Sequence, residues 1–291
     1  MIKRSLGDKI FDTCNYFILI LLTIVTLYPF LFVLFASLST PSELVKQTGI
    51  LWKPMGFYLE GYKLVLKNPM IGIGYKNTLI YVLLGTILNV FFTALFAFVL
   101  SRKDLYWKKY MMMMIVFTMF FSGGLIPEYM LVKNLGMLDT RWSLIVPGLI
   151  ATWNLIIMRT SFQSIPYELE EAAKMDGASD WTVFSKVILP LSVPLLAVMV
   201  LFYGVAHWNA WASALIYLRD RDLFPLQLVL REILIQNSTS DTTNLSSASD
   251  PFLGEVVKYA TIIVATLPIL VMYPIIQKHF TKGVMIGALK G

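Results

Sequence analysis

The chain has 291 residues, of which 57% are apolar and only 14% charged, with a mean hydropathy of +0.69 and a net charge of +6. A soluble domain carries about 25% charged residues, so this composition excludes one and defines an integral membrane protein. The positive balance suits attraction to anionic lipid, and lysines scattered over loops without a basic, aromatic-interleaved stripe exclude a nucleic-acid binder.

Residues 1–15 form a polar, basic start (Lys3, Arg4, Lys9), and an apolar run over about 16–38 follows. The small residues Ala36-Ser37-Leu38 also fit a cleaved secretory signal. The run exceeds the roughly 7–15 residues of a signal core, so it reads as a retained first span. Five further runs, about 78–100, 110–131, 142–160, 191–216 and 259–277, approach the roughly 20 residues that cross a bilayer. The sequence therefore predicts an all-α fold of six transmembrane helices in a single membrane domain, 16–291. The third run is broken by Ser122-Gly123-Gly124 and Pro127, and the fourth by Pro147-Gly148. Such interruptions either line a transport pathway or are tolerated kinks.

Six spans place both termini on one side. The short 101–109 loop, with Arg102, Lys103, Lys108 and Lys109, and the basic start both favour the cytoplasm for that side. Two long outer loops result, 39–77 and 217–258. The second contains the low-complexity stretch NSTSDTTNLSSASD, 237–250, read as a polar tip, with two short matches to the N-glycosylation pattern at Asn237 and Asn244.

Between the fourth and fifth spans lies the one long polar segment, 164–194. Pro166 suits the first turn of a helix, and Glu168, Glu170 and Glu171 place negative charge near its positive end. Leu169, Ala172, Ala173 and Asp176 continue one surface. Gly177 is free to end the helix at positive φ. Ser179 or Asp180 can cap a second short helix that Pro190 stops. Two helices joined by a glycine turn, without chemistry of their own, form a docking surface for another protein.

Absences narrow the function. No Gly-Lys dipeptide occurs, so there is no Walker-type phosphate loop and any ATP belongs to another chain. His207 and His279 are the only histidines and Cys14 the only cysteine, which leaves no His- or Cys-rich metal site. No nucleophile–base set stands out, so the chain reads as non-enzymatic. The spans hold almost no carboxylates, unlike ion-coupled carriers. Asn89 and Asn154, the latter beside Trp153, either line a pathway or bond neighbouring helices. Tyr203, His207, Trp208, Asn209 and Trp211 gather at the outer end of the fifth span. They read as interface anchors, or as a sugar surface of rings with an adjacent amide.

Glu171-Ala172-Ala173, Asp176-Gly177-Ala178, Phe184, Ile188-Leu189-Pro190 and Pro194 resemble the EAA loop of ABC-importer permeases. Tyr75-Lys76-Asn77-Thr78, Phe121 to Pro127, His207 to Trp211, and the tail Lys278 to Val284 with Gly287 to Gly291 extend the likeness over nearly the whole chain. The resemblance is to the carbohydrate-uptake, maltose-permease-G-like family, among its oligosaccharide permeases of Gram-positive bacteria. It implies a type I importer permease fold with a cytoplasmic EAA coupling helix in the loop 164–190. It also implies a heterodimer with a second, homologous permease, two ATPase subunits that bind ATP and Mg, and an extracellular sugar-binding protein. Glu171, Ala172, Ala173, Asp176 and Gly177 would contact the ATPase. Asn89, Trp153, Asn154, Tyr203, His207, Trp208, Asn209 and Trp211 are the substrate-path candidates. The Ser/Thr-rich loop departs from the family pattern by its length. The competing readings are a stand-alone secondary carrier and a membrane docking scaffold.

Overall fold

In the computed structural model the described residues are 6–239 and 253–288, with side chains over 7–235 and 253–271. Among them every regular element is helical. Most of the Ser/Thr-rich stretch of the second outer loop lies outside the described residues, as do the last three residues of the tail. The chain divides into two compact units, residues 1–69 with 232–267, and 70–231 with 268–291.

The first unit is built on α1 (Leu6–Leu38), a 33-residue helix that carries Pro29 in its interior. None of its most apolar window is buried within the chain. The following segment, expected as a long loop, contains α2 (Pro41–Lys46) and α3 (Glu60–Lys67). Polar side chains at the end of α1 hold it. Tyr28 Oη accepts from Leu51 N–H at 3.1 Å, Ser39 Oγ accepts from Met55 N–H at 2.9 Å, and the Ser37 and Tyr62 hydroxyls pair at 2.7 Å. Phe32 meets Tyr259 edge-on at 5.8 Å.

The second unit is organised around α4 (Pro69–Ser101), which is α-helical except for one π turn at Tyr81–Gly85. Ala94 and Ala97 let it lie close to α8 (Thr152–Gln163), where Leu155, Met158 and Phe162 complete the contact. Small residues permit this approach where no hydrophobic effect drives helices together in lipid. Val183, Phe184 and Ile188 of α10 (Asp180–Leu191) join the same core, together with Met199 and Tyr203 of α11 (Val193–Trp208).

Among the described residues three helices are long and apolar enough to cross a membrane unaided: Gly7–Leu38, Pro69–Ser101 and Leu253–Val271. The last belongs to the helix Leu253–Ala288. The expected third span is instead α5 (Lys108–Phe120) and α6 (Leu125–Asn134), which meet at 115°. The bend falls at Phe121–Gly124, where Gly124 takes φ +87, a value open mainly to glycine. The expected fourth span is the single turn α7 (Trp142–Ile145), a non-helical stretch around Pro147-Gly148, and α8. The fifth is not continuous over 191–216. α11 ends at Trp208, and α12 (Ala212–Tyr217) follows a turn at Asn209–Trp211. Pro190 does not stop α10, which runs one residue further and then turns by 83° into α11. The π turn at Phe184–Ile188 ends two residues before this proline. Proline withholds one N–H from the ladder, and the π turn shows the register already shifted there.

At the Pro69 end of α4 a polar ring fixes the segment 217–226. Asn77 Nδ2 donates to Asp222 O at 2.6 Å and Phe224 O at 3.1 Å, while Arg141 Nη2 donates to Asn77 Oδ1 at 2.9 Å. Tyr81 Oη donates to Leu223 O, and Leu226 N–H donates to Thr78 Oγ1, both at 2.8 Å. Asp139, itself at φ 58, accepts from the backbone N–H groups of Arg219 and Asp220 at 2.8 Å each. These two donors hold its carboxyl below the ordinary carboxylate value. A carboxylate with a depressed folded pKa contributes fully above its unfolded value and loses that contribution as the pH falls through the lower folded one. Amide hydrogen exchange at Arg219 and Asp220 should therefore be slow at neutral pH and accelerate beyond the intrinsic trend once the pH falls below the ordinary carboxylate range. Asp139→Asn should loosen the same amides at every pH. Equal protection in both proteins would refute the tie.

Candidate functional site

Two constellations occur in the second unit. The first is the helix–turn–helix of 164–190. α9 (Tyr167–Met175) is preceded by Pro166, at φ −55 and ψ 128, which stands at the cap position and not inside the first turn. Its C-terminus closes with a paired motif: Gly177 N–H donates to Lys174 O at 3.0 Å and Ala178 N–H to Ala173 O at 2.9 Å. Gly177 sits at φ +80. This is a Schellman termination, which satisfies carbonyls a helix end would otherwise leave bare. Of the two cap candidates for α10, the residue in place is Ser179, whose Oγ accepts from Thr182 N–H at 3.3 Å.

The surface of this segment divides by exposure. Glu171, Ala172, Asp176 and Gly177 are exposed and Ala173 is half-buried. Leu169, Met175 and Trp181 are exposed beside them, Met175 at 88%. Large apolar side chains thus stand in the open around two acids. Glu170, adjacent to Glu171, is buried instead. Its Oε1 lies 2.6 Å from Arg102 Nη2 in an ion pair, and 3.5 Å from Lys174 Nζ. Sequence reasoning missed this pair. The adjacent acids must point apart on a helix, but nothing local in the sequence ties either of them to Arg102, whose short basic 101–109 loop signals topology alone.

The second constellation lies along the middle of α4. Asn89, fully buried, donates from Nδ2 to Gly148 O at 2.7 Å and Leu149 O at 2.9 Å. Its Oδ1 must then accept, so His207 donates from Nε2 across 2.7 Å. Ala151 N–H donates to Tyr203 Oη at 3.1 Å, and Tyr203 pairs with the Thr93 hydroxyl at 2.7 Å. The carbonyls and amide so served belong to the non-helical break between α7 and α8. Irregular backbone at membrane depth persists only where such partners exist. The ring of His207 rests on Gly85, where a Cβ would stand 2.7 Å from Cε1 and 2.8 Å from Cδ2.

The remaining candidates separate by exposure. Asn154 is buried, and so is Trp208, whose ring lies 6.5 Å from Tyr75. Trp153 is 62% exposed and Trp211 41% exposed, with the Arg231 guanidinium 4.7 Å over the Trp211 ring. Asn209 is exposed and donates to Val205 O at 2.9 Å. An apolar cavity of about 530 Å³ between α4 and α11 is lined by Val82, Val90, Phe91, Leu196, Val200 and Trp208. Almost no polar surface faces it, so it offers sugar hydroxyls nothing to bond. Among the described residues no cluster of His, Cys, Asp or Glu could hold a metal ion.

A multi-helical membrane chain with broken spans, a polar network supporting one break, and an exposed helix–turn–helix is a transport permease by architecture. Residues 71–286 match the binding-protein-dependent transport system inner membrane component family, and the chain belongs to that family. It is a non-catalytic, multi-pass subunit of an ABC transporter in the cell membrane. The chain is 42% identical to the polygalacturonan/rhamnogalacturonan transport system permease protein YtcP of Bacillus subtilis, over 98% of this chain and 99% of that one. It is 40% identical to Protein LplC of the same organism, over 98% and 96%. Among solved structures, a chain of a bacterial ABC transporter involved in the import of the acidic polysaccharide alginate superposes with a TM-score of 0.87. That chain is 29% identical, and the match covers 96% of this chain and all of the other.

Proposed function

We propose that the chain is one permease half of an ATP-driven importer for an acidic oligosaccharide. Six spans, three of them broken, leave both termini in the cytoplasm. A second, homologous permease completes the membrane core. Two ATPase subunits bind ATP and Mg, and an extracellular sugar-binding protein delivers the substrate. The observation that carries the reading is the exposed face of α9 and α10, with Leu169, Glu171, Ala172, Met175 and Trp181 around a rigid turn at Gly177. A chain without a phosphate loop needs such a surface to receive work from ATP hydrolysis elsewhere. Glu171 answers a basic residue of the ATPase there, and Ala172 and Ala173 let the helix seat closely.

The acidic character of the substrate is supported by the polygalacturonan and alginate transporters that this chain resembles. It also suits Arg231 stacked on the exposed Trp211, since a guanidinium attracts a uronate carboxylate and a ring packs on a sugar face. Trp153, Asn209 and Trp211 are the substrate contacts in this reading. Asn89, Tyr203 and His207 support the broken span and do not touch sugar.

The test is reconstitution of the co-purified complex in proteoliposomes with its binding protein and a glycan panel. Galacturonan oligosaccharides should stimulate ATP hydrolysis and enter the vesicles, and neutral maltooligosaccharides of equal length should not. Equal stimulation by neutral chains would overturn the acidic assignment. Uptake by this chain without any ATPase would overturn the permease role.

A further inference from the structure

We infer that Arg102 is a positioning residue that fastens α4 to both helices of the coupling segment, so that α9, α10 and α4 move together. The inference rests on the proposed contact of 164–190 with the ATPase.

Arg102 follows the last residue of α4, and its side chain is 9% exposed. One guanidinium nitrogen, Nη2, serves two elements: Glu170 Oε1 of α9 at 2.6 Å and Asp180 Oδ1 of α10 at 3.0 Å. Lys174 Nζ lies 3.5 Å from Glu170 and 3.6 Å from Asp180, closing a four-membered cluster of balanced charge, and Asp104 approaches Arg102 Nε at 3.8 Å. Because a guanidinium is a planar, delocalised fork, it can bridge two carboxylates from a fixed position, which the point charge of a lysine does less well.

Apolar contacts repeat the connection. The guanidinium carbon lies 5.0 Å over the Phe98 ring of α4, Phe98 meets Phe184 of α10 at 5.2 Å, and Phe184 meets Trp181 at 5.5 Å. Lys103 Nζ stands 4.3 Å over Tyr167 at the start of α9. The loop itself is held to the end of α4. Lys108 Nζ donates to Ser101 O at 3.2 Å and Arg102 O at 2.7 Å, and Arg159 Nε donates to Leu100 O at 3.1 Å.

A buried ion pair contributes little net stability, because desolvation offsets its attraction. What it fixes is register. Glu170 is the one acid of its helix turned away from the exposed face, and α4 is the helix whose Asn89 and Thr93 reach the broken span and α11. Arg102 therefore stands where displacement of the coupling segment enters the membrane helices.

The test uses the whole complex in proteoliposomes and reads sugar transported per ATP hydrolysed, with Arg102→Met, Arg102→Lys, Glu170→Gln and the double variant Arg102→Met/Glu170→Gln. Arg102→Met should assemble with ordinary basal ATPase activity yet lose about 10-fold in the transport ratio. Arg102→Lys should fall between it and the parent, and the double variant should be no worse than Arg102→Met alone. A purely structural role would lower assembly and leave the ratio of the assembled fraction unchanged. A parent complex without ATPase stimulation refutes the coupling reading itself. A sound parent with an unchanged ratio in Arg102→Met, or additive losses in the double variant, refutes only the role of Arg102. If Arg102→Met does not assemble, Arg102→Lys and Glu170→Gln decide by the same ratio.

Discussion

Gly177→Val should insert into the membrane and assemble, yet transport at no more than about one-tenth of the parent rate. The cause is backbone conformation, not crowding. A Cβ at this position meets nothing within 4 Å, so a side chain has room. The φ of +80 is the obstacle. An ordinary L-residue loses roughly 1–2 kcal/mol in the left-handed region, and a β-branched one is a true outlier there. Valine would relieve the strain by leaving that region. The bonds from Gly177 to Lys174 and from Ala178 to Ala173 would then break, and the last turn of α9 would fray. The exposed face formed by Leu169, Ala172 and Met175 would lose its angle to Trp181 across the turn. Gly177→Asn separates conformation from composition, because asparagine tolerates the left-handed region and should keep at least about half the activity. Glu171→Lys tests the surface without touching the turn, and should also uncouple hydrolysis from transport. Parent-level transport in both Gly177→Val and Glu171→Lys would remove the coupling role from this segment.

The helix–turn–helix of 164–190 was largely legible in the sequence because its signals are local. Proline, adjacent acids, glycine and a serine cap act within a few residues of themselves, and the proline, the glycine and the serine each occur at a helix boundary of the fold. The continuity of the spans was less legible. Hydropathy reports whether a stretch is apolar enough to lie in lipid, not whether its helix is continuous, so 191–216 read as one span although Asn209 ends α11. The interruptions at Gly124 and Pro147-Gly148 were visible as residue types. The 115° bend at the first is a tertiary outcome that no local rule contains. Least legible was the pairing of Glu170 with Arg102. The two residues are far apart in sequence, and nothing local distinguishes Glu170 from Glu171 until the helix is oriented against α4. The same limit left Asn89 with two readings, pathway or helix contact, because its partners at 148 and 149 become neighbours only in the fold.

Asn89→Leu should lower the stability of the subunit by about 3 kcal/mol, since it leaves up to three buried groups without a partner at about 1–3 kcal/mol each, less what local relaxation recovers. Leucine repeats the branched outline of asparagine, although it is bulkier, and offers neither donor nor acceptor. Gly148 O, Leu149 O and the His207 Nε2–H would all lose their bonds at once. In a chain of this size such a loss lowers the melting temperature by roughly 6–12 °C. Asn89→Asp is the sharper variant. An ionised carboxylate has no proton to give, so it would face the two carbonyls as a third acceptor while keeping only the bond from His207. It should destabilise at least as much as leucine despite being nearly isosteric with asparagine. The measurement is thermal unfolding of the detergent-solubilised complex, followed together with uptake kinetics. A structural Asn89 predicts a falling melting temperature with substrate selectivity unchanged in the protein that remains folded. An Asn89 that lines the sugar path predicts the reverse, an unaltered melting temperature with a shifted KM. The hydrogen-bond geometry favours the first outcome, because both amide protons and the carbonyl oxygen are already engaged within the chain and leave none of its donors for a substrate.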